Sequence, residues 1–135
     1  MKRLNDNKQM TDACRLPAIG IWEKSCGKHP TQKPLSLLTR IILASTNEGD
    51  WVLDPFCGSS TTGIAANLCG RKYAGIEQEE EFCLMGKARR EELENFSKQE
   101  FFKQHIVDYK ILMQQGQHLC SLNEPVADYM LPFDS

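Results

Sequence analysis

Apolar residues switch between helical and strand spacing along the middle of the chain. Leu35, Leu37, Leu38, Ile41, Ile42 and Ala44 recur three to four positions apart, which predicts an amphipathic helix with Pro34 in its first turn. Asn47-Glu48-Gly49-Asp50 ends that helix in a turn. Trp51-Val52-Leu53 is a short apolar run closed by Asp54-Pro55, which reads as a buried strand. Cys57-Gly58-Ser59-Ser60-Thr61-Thr62 is a tight loop of small residues. A helix from Thr61 to Cys69 follows, with Ile64, Ala65 and Leu68 on one face and Gly70 as its cap. Lys72 to Ile76 is a second strand, ending at Glu77. Residues 79–96 read as one long charged helix with Phe82, Met85, Ala88 and Leu93 as its stripe. Gly86 inside it costs about 1 kcal/mol against alanine.

Positions 1–33 hold few apolar residues and no clear period, so they read as loop. Residues 97–135 carry Phe101, Phe102, Ile106, Tyr109, Ile111 and Leu112, apolar enough to pack but without an assignable element. The order helix, strand, loop, helix, strand, acid, helix is one βαβ unit with a helix in front. Its natural parent is a doubly wound α/β fold. Two parallel strands are too few for such a sheet, which needs both faces covered, so the unit is expected to be incomplete.

Composition narrows the class only modestly. The chain has 135 residues, 41% hydrophobic and 25% charged, which suits one small soluble domain. No apolar run reaches the roughly 18 residues of a membrane span, and the polar start, Met1-Lys2-Arg3-Leu4-Asn5-Asp6-Asn7-Lys8, is unlike a secretory signal. The expected compartment is the cytoplasm, with no membrane partner. Six cysteines, at 14, 26, 57, 69, 83 and 120, lack C-x-x-C spacing and read as reduced, apolar thiols with no metal. His105 and His118 have no partner at metal-ligand spacing. Residues 1–40 hold eight Lys or Arg against three acids, a charge of +5 in a chain of net charge −2. That suits either a phosphate-facing edge or a solvated tail. Lys87, Arg89 and Arg90 read as a solvated face paired with Glu91, Glu92 and Glu94, with contact to DNA phosphates as the alternative.

The sharpest signal is the loop between the strands. Ligands of doubly wound sheets bind at the carboxyl ends of the strands. Gly58 allows close backbone approach, and the helix start beyond it offers N–H groups to an anion. Asp54 can accept from an ammonium group. Glu77, 23 residues further on, suits a carboxylate gripping two ribose hydroxyls. There is no G-x-G-x-x-G and no Gly-Lys-Ser/Thr, so a nucleoside with a zwitterionic end fits better than a polyphosphate. On spacing alone an ordinary strand–turn–helix joint is an equal alternative.

Asp54-Pro55-Phe56-Cys57-Gly58-Ser59-Ser60-Thr61-Thr62 resembles the cofactor motif D-P-F-x-G-S-G-T-T of DNA amino-methyltransferases of the β arrangement. His29-Pro30-Thr31-Gln32-Lys33-Pro34 is similar to the segment preceding that motif. The resemblance covers residues 10 to about 92. It implies a Rossmann-like methyltransferase fold, S-adenosylmethionine as cofactor, DNA as partner, and methyl transfer to adenine N6 within restriction-modification. Cytosine N4 is the alternative base, and RNA or a small molecule the alternative substrate.

Carried over residue by residue, the resemblance implies that Asp54 and Phe56 line the methionine and purine side of the pocket. Gly58, Ser59, Thr61 and Thr62 shape the loop round the methionine end. Glu77 holds the ribose, and Thr31 and Lys33 reach the cofactor carboxylate.

Two departures qualify the resemblance. Ser60 stands where the family has glycine; a positive φ there costs serine about 1 kcal/mol, which lowers cofactor affinity without loss of the fold. The family's Asp/Asn/Ser-Pro-Pro-aromatic motif, which holds the target amino group and stacks on a flipped base, does not occur. The expected layout is therefore a remnant of the target-recognition region or arm at 1–27, a cofactor-binding half-domain at 28–96, and an extension of unknown role at 97–135. No catalytic residue is assigned. The catalytic half is expected on a separate chain or lost, leaving the chain inactive alone. A non-catalytic cofactor-binding subunit that complements such a chain is the alternative.

Overall fold

A computed structural model describes residues 16, 18–24, 26 and 32–106. Four helices and two strands follow in order: α1 (Leu35–Ser45), β1 (Trp51–Asp54), α2 (Thr61–Leu68), β2 (Lys72–Gly75), α3 (Glu80–Glu91) and α4 (Phe96–His105). Short 3₁₀ turns lie at Ile21–Lys24 and Glu92–Glu94. Tyr109, Ile111 and Leu112 lie outside the described residues, as do Cys14, Cys120 and His118.

The strands are parallel and in register, Trp51 beside Lys72 and Asp54 beside Gly75. Alternation sends Val52 and Tyr73 to one face and Trp51 and Leu53 to the other. The first face meets α2, and Tyr73 is 2% exposed. The second face is more open: Trp51 is 53% and Leu53 65% exposed, and Lys72 Nζ lies 5.9 Å from the Trp51 ring centroid. The expectation of a buried strand is therefore corrected. The apolar run is real, but among the described residues the helices cover one side of it.

The core joins Leu35 and Ile42 of α1, Ile64, Ala65 and Leu68 of α2, Tyr73 of β2, then Leu93, Phe102 and Ile106. Phe102 and Ile106 of the expected tail thus pack in the same core. Gly70 (φ 70°) closes α2 as expected, with the Arg71 amide donating to Ala66 O at 2.8 Å.

Two expected elements differ. The long helix breaks after Glu91, and Asn95 starts a new one by accepting from the Ser97 and Lys98 amides at 3.0 and 3.4 Å, an asparagine cap. The buried face of α3 is Gly86, Arg89 and Arg90, while Phe82 and Met85 are half-buried and Ala88 is exposed.

The region expected as plain loop also contains the turn at Ile21–Lys24, whose Trp22 packs 5.3 Å from Phe102. Pro34 supplies no side-chain cap to α1. Buried Glu23 does so instead, its Oε2 accepting from the Leu35 amide at 2.8 Å. Among the described residues no helix is long and apolar enough to cross a membrane, and no His/Cys/Asp/Glu cluster could hold a metal ion. Among the described residues, Cys26, Cys57, Cys69 and Cys83 are in no disulfide.

Candidate functional site: the loop between the strands

The chain leaves β1 at Asp54 and enters α2 at Thr61, and the loop between is held on two sides. On the strand side, the Cys57 amide donates to Ile76 O at 3.0 Å and the Ser60 amide to Cys57 O at 2.8 Å. Asp54 Oδ1 accepts from the Phe56 amide at 3.1 Å and Oδ2 from Thr62 Oγ1 at 2.5 Å. The carboxylate therefore pins both ends of the loop. Glu77 closes the other side: Oε2 accepts from the Gly58 amide at 2.7 Å, and Oε1 from Gln78 and Glu79 at 2.8 and 3.0 Å. The two acids at the ends of neighbouring strands thus flank one glycine loop.

Two loop residues are left-handed, Gly58 at φ 50° and Ser60 at φ 62°. The expected strain at Ser60 is present, since an L-residue there costs about 1 kcal/mol. Packing holds it. An added Cβ at Gly86 of α3 would stand 2.8 Å from Ser60 Cβ, so the helix approaches the loop only because position 86 lacks a side chain. The Tyr73 ring fills the space beside Gly63, where an added Cβ would lie 2.6 Å from it. Ser60 Oγ donates to Tyr73 Oη at 3.4 Å. Burial pushes the Tyr73 hydroxyl well above its ordinary range, with smaller upward contributions from Cys57 and Asp54 against the lowering Ser60 bond. Burial likewise raises the Cys57 thiol.

The structure brings Asp54, Phe56, Gly58, Ser59, Thr61, Thr62 and Glu77 into this one loop and its flanks. Their orientations differ. Phe56 is 86% exposed beside the loop, whereas Ser59 and Thr61 are buried behind it. Lys33 is exposed just ahead of α1; no hydrogen bond or ion pair described here joins it to the loop. Thr31 lies outside the described residues.

Sequence reasoning missed Arg89. Its Nη1 donates to Ser59 O, Ser59 Oγ and Thr61 Oγ1 at 2.6, 2.9 and 3.1 Å. Arg90, 8% exposed, sits over the Tyr73 ring, 5.6 Å from its centroid. The reading of 87–90 as a solvated face is corrected: Lys87 is exposed, but both arginines are buried because α3 turns that face to the loop. Gly86 and Arg89, three apart and so on one helix face, were the available signal.

The arrangement suits a zwitterionic nucleoside. It presents acids at two strand ends, a glycine between them, and an α2 N-terminus without a side-chain cap, which favours an anionic group.

These features define a strand–loop–helix site of an α/β fold, and comparison with known proteins assigns the family. The DNA methylase family model N6_N4_Mtase matches residues 2–88, and the chain belongs to that family. It is 59% identical over 106 residues to Type II methyltransferase M2.MboI of Moraxella bovis, an alignment spanning 78% of this chain and 38% of that protein. It is 54% identical to Type II methyltransferase M2.DpnII of Streptococcus pneumoniae, over 67% of this chain and 34% of that one. DNA adenine methyltransferase YhdJ of Escherichia coli (strain K12) is 55% identical over 75 residues, 56% of this chain and 26% of that one. The fold matches the crystal structure of the M1.HpyAVI-SAM complex with a TM-score of 0.52 and 40% identity, covering 61% of this chain and 42% of that one. The chain spans between 26% and 38% of the length of these curated relatives.

Proposed function

We propose that this chain is the S-adenosylmethionine-binding section of a DNA adenine methyltransferase of the restriction-modification type, acting on DNA in the cytoplasm. The observation that carries the reading is the loop flanked by Asp54 and Glu77, each hydrogen-bonded to loop amides. Support comes from the adenine methyltransferase named among the relatives and from the similar fold solved with S-adenosylmethionine.

When bound, that cofactor supplies an activated methyl group on a sulfonium sulfur. This chain's residues bind and orient. Glu77, fixed by three backbone amides, presents an acceptor to the ribose hydroxyls. Asp54 offers a carboxylate to the ammonium group, and exposed Phe56 an aromatic face for the purine. Gly58 and the start of α2 border the methionine end, and Thr31 and Lys33 meet its carboxylate. Ser59 and Thr61 act from behind by holding the loop's shape.

Residues 28–96 form the binding half-domain, 1–27 belong to the target-recognition side, and 97–135 extend it. No Pro-Pro tetrapeptide occurs in the 135 residues. The amino group and flipped base are therefore held by another section, on the same or a second polypeptide.

The test mixes the purified chain with the section of M2.MboI that lies outside the alignment, together with DNA and methyl-labelled S-adenosylmethionine. Label is expected in N6-methyladenine in the mixture only. Methylation by the 135 residues alone would contradict the division of labour, and label in N4-methylcytosine would overturn the adenine assignment.

A further inference from the structure

We propose that Arg89 is the positioning residue of the cofactor loop: it holds the Ser59–Ser60 peptide and the first turn of α2 in the shape that admits the cofactor. The proposal rests on the cofactor reading given above.

The argument begins with the peptide plane. In a trans peptide the carbonyl and the following N–H point in opposite directions. Ser59 O points back to Arg89 Nη1 at 2.6 Å, and the Ser60 amide points to Cys57 O at 2.8 Å. Rotating that peptide would lose both bonds. Gly58 and Ser60, the residues on either side of Ser59, are left-handed. The loop thus has no regular ladder to fix it, and a glycine is absent from the position that most needs one. The same Nη1 reaches Thr61 Oγ1 at 3.1 Å, which ties the loop to the first residue of α2.

Burying a guanidinium is costly unless it is paired and hydrogen-bonded. Arg89 is 4% exposed, and burial works against its charge. The carboxylate of Glu23 opposes that effect first, then the Cys26 thiol and Glu92. Glu23 and Arg89 line a common cavity of about 10 Å³, about one water in size. An apolar side chain would fill such a site with less penalty. The arginine is explained by the three loop acceptors it serves, and Gly86 one turn earlier lets α3 come near enough to serve them.

The test uses the whole chain as Arg89→Lys, Arg89→Met and the double variant Ser59→Ala with Thr61→Val, which keeps the arginine and removes two of its acceptors. Two readouts are taken: S-adenosylmethionine affinity, and amide exchange at Ser60 and Ile64 against strand amides such as Ala74 of β2. R89M is expected to bind at least about tenfold more weakly, in line with losing a charged hydrogen-bond group. It should also exchange faster at the loop than at the strand, with R89K between it and wild type. The double variant should move the same way by about threefold or more. Should R89M not fold, the double variant decides. Unchanged affinity with unchanged loop exchange overturns the proposal, as does a uniform rise in exchange across the whole chain. Should the wild type not bind the cofactor, the functional reading fails, while loop exchange still decides the role of Arg89.

Discussion

Ser60 and Gly86 touch across the interface between the cofactor loop and α3: a methyl group on Gly86 would stand 2.8 Å from Ser60 Cβ. Each residue is unfavourable in its own segment, a left-handed serine and a glycine within a helix, and each is accounted for by the other. Gly86→Ala gains about 1 kcal/mol of helix propensity but meets a rigid Cβ, and such overpacking costs about 1–3 kcal/mol. It should lower stability in the wild-type background and be neutral or stabilising after Ser60→Gly. Urea unfolding of the four-member cycle should give a coupling above about 1 kcal/mol; additive effects would show that the contact carries no energy.

Glu23 caps α1 from 12 residues upstream and faces Arg89. Glu23→Ala should cost about 1–2 kcal/mol through the lost cap, and more through the uncompensated arginine. Glu23→Gln removes the charge and keeps one of the two acceptor oxygens that serve the Gly20 and Leu35 amides, so its deficit should be smaller than that of Glu23→Ala. Thermal melts of the two variants check this; equal stability of both with wild type would remove the arm from the fold's support.

Cys57 and Tyr73 both have folded values raised above their ordinary 9.0 and 10.0, chiefly by burial. A raised value means that the unfolded chain loses its proton first. Their contribution is therefore complete below about pH 8.5 and is lost as pH rises, by up to about 1.4 kcal/mol per pH unit for each group. Stability of the wild type should fall above pH 9 more steeply than that of Cys57→Ala or Tyr73→Phe. Denaturant midpoints from pH 7 to 10.5 measure it, and parallel curves would contradict the assigned cause.

Trp51 and Leu53, on one face of the sheet, are 53% and 65% exposed. Parallel sheets bury both faces, so the 135-residue chain should self-associate at high concentration. Leu53→Lys should shift it toward monomer in sedimentation velocity. A wild-type chain that stays monomeric at all concentrations would show that the face is not adhesive.

The order of elements was legible because its signals are local. Apolar spacing marks α1 and α2, glycine and proline mark the turns, and Asp54 and Glu77 mark the strand ends. The strain at Ser60 was also legible, through the glycine expected there. What escaped depends on how distant segments meet. Gly86 on the same helix face was the one local signal near Arg89, and it does not say that the arginine reaches a loop 28 to 30 residues away; charge alternation in α3 argued for a solvated face. Gly86 read as a local cost because its benefit lies on another element. The Glu23 cap escaped for the same reason. The helix break at Asn95 was different: an asparagine cap was present, but the charged run around it concealed the boundary.

The central claim, that this loop is an S-adenosylmethionine site, is tested most directly by titrating the cofactor into the isotopically labelled chain and following backbone amide resonances, a method that also registers weak binding. Saturable shifts are expected at Gly58, Ser60 to Gly63 and Glu77, and they should be reduced at least about tenfold in affinity in Glu77→Ala, which loses charged hydrogen bonds. Absence of shifts in this segment, or equal binding by Glu77→Ala, would contradict the account.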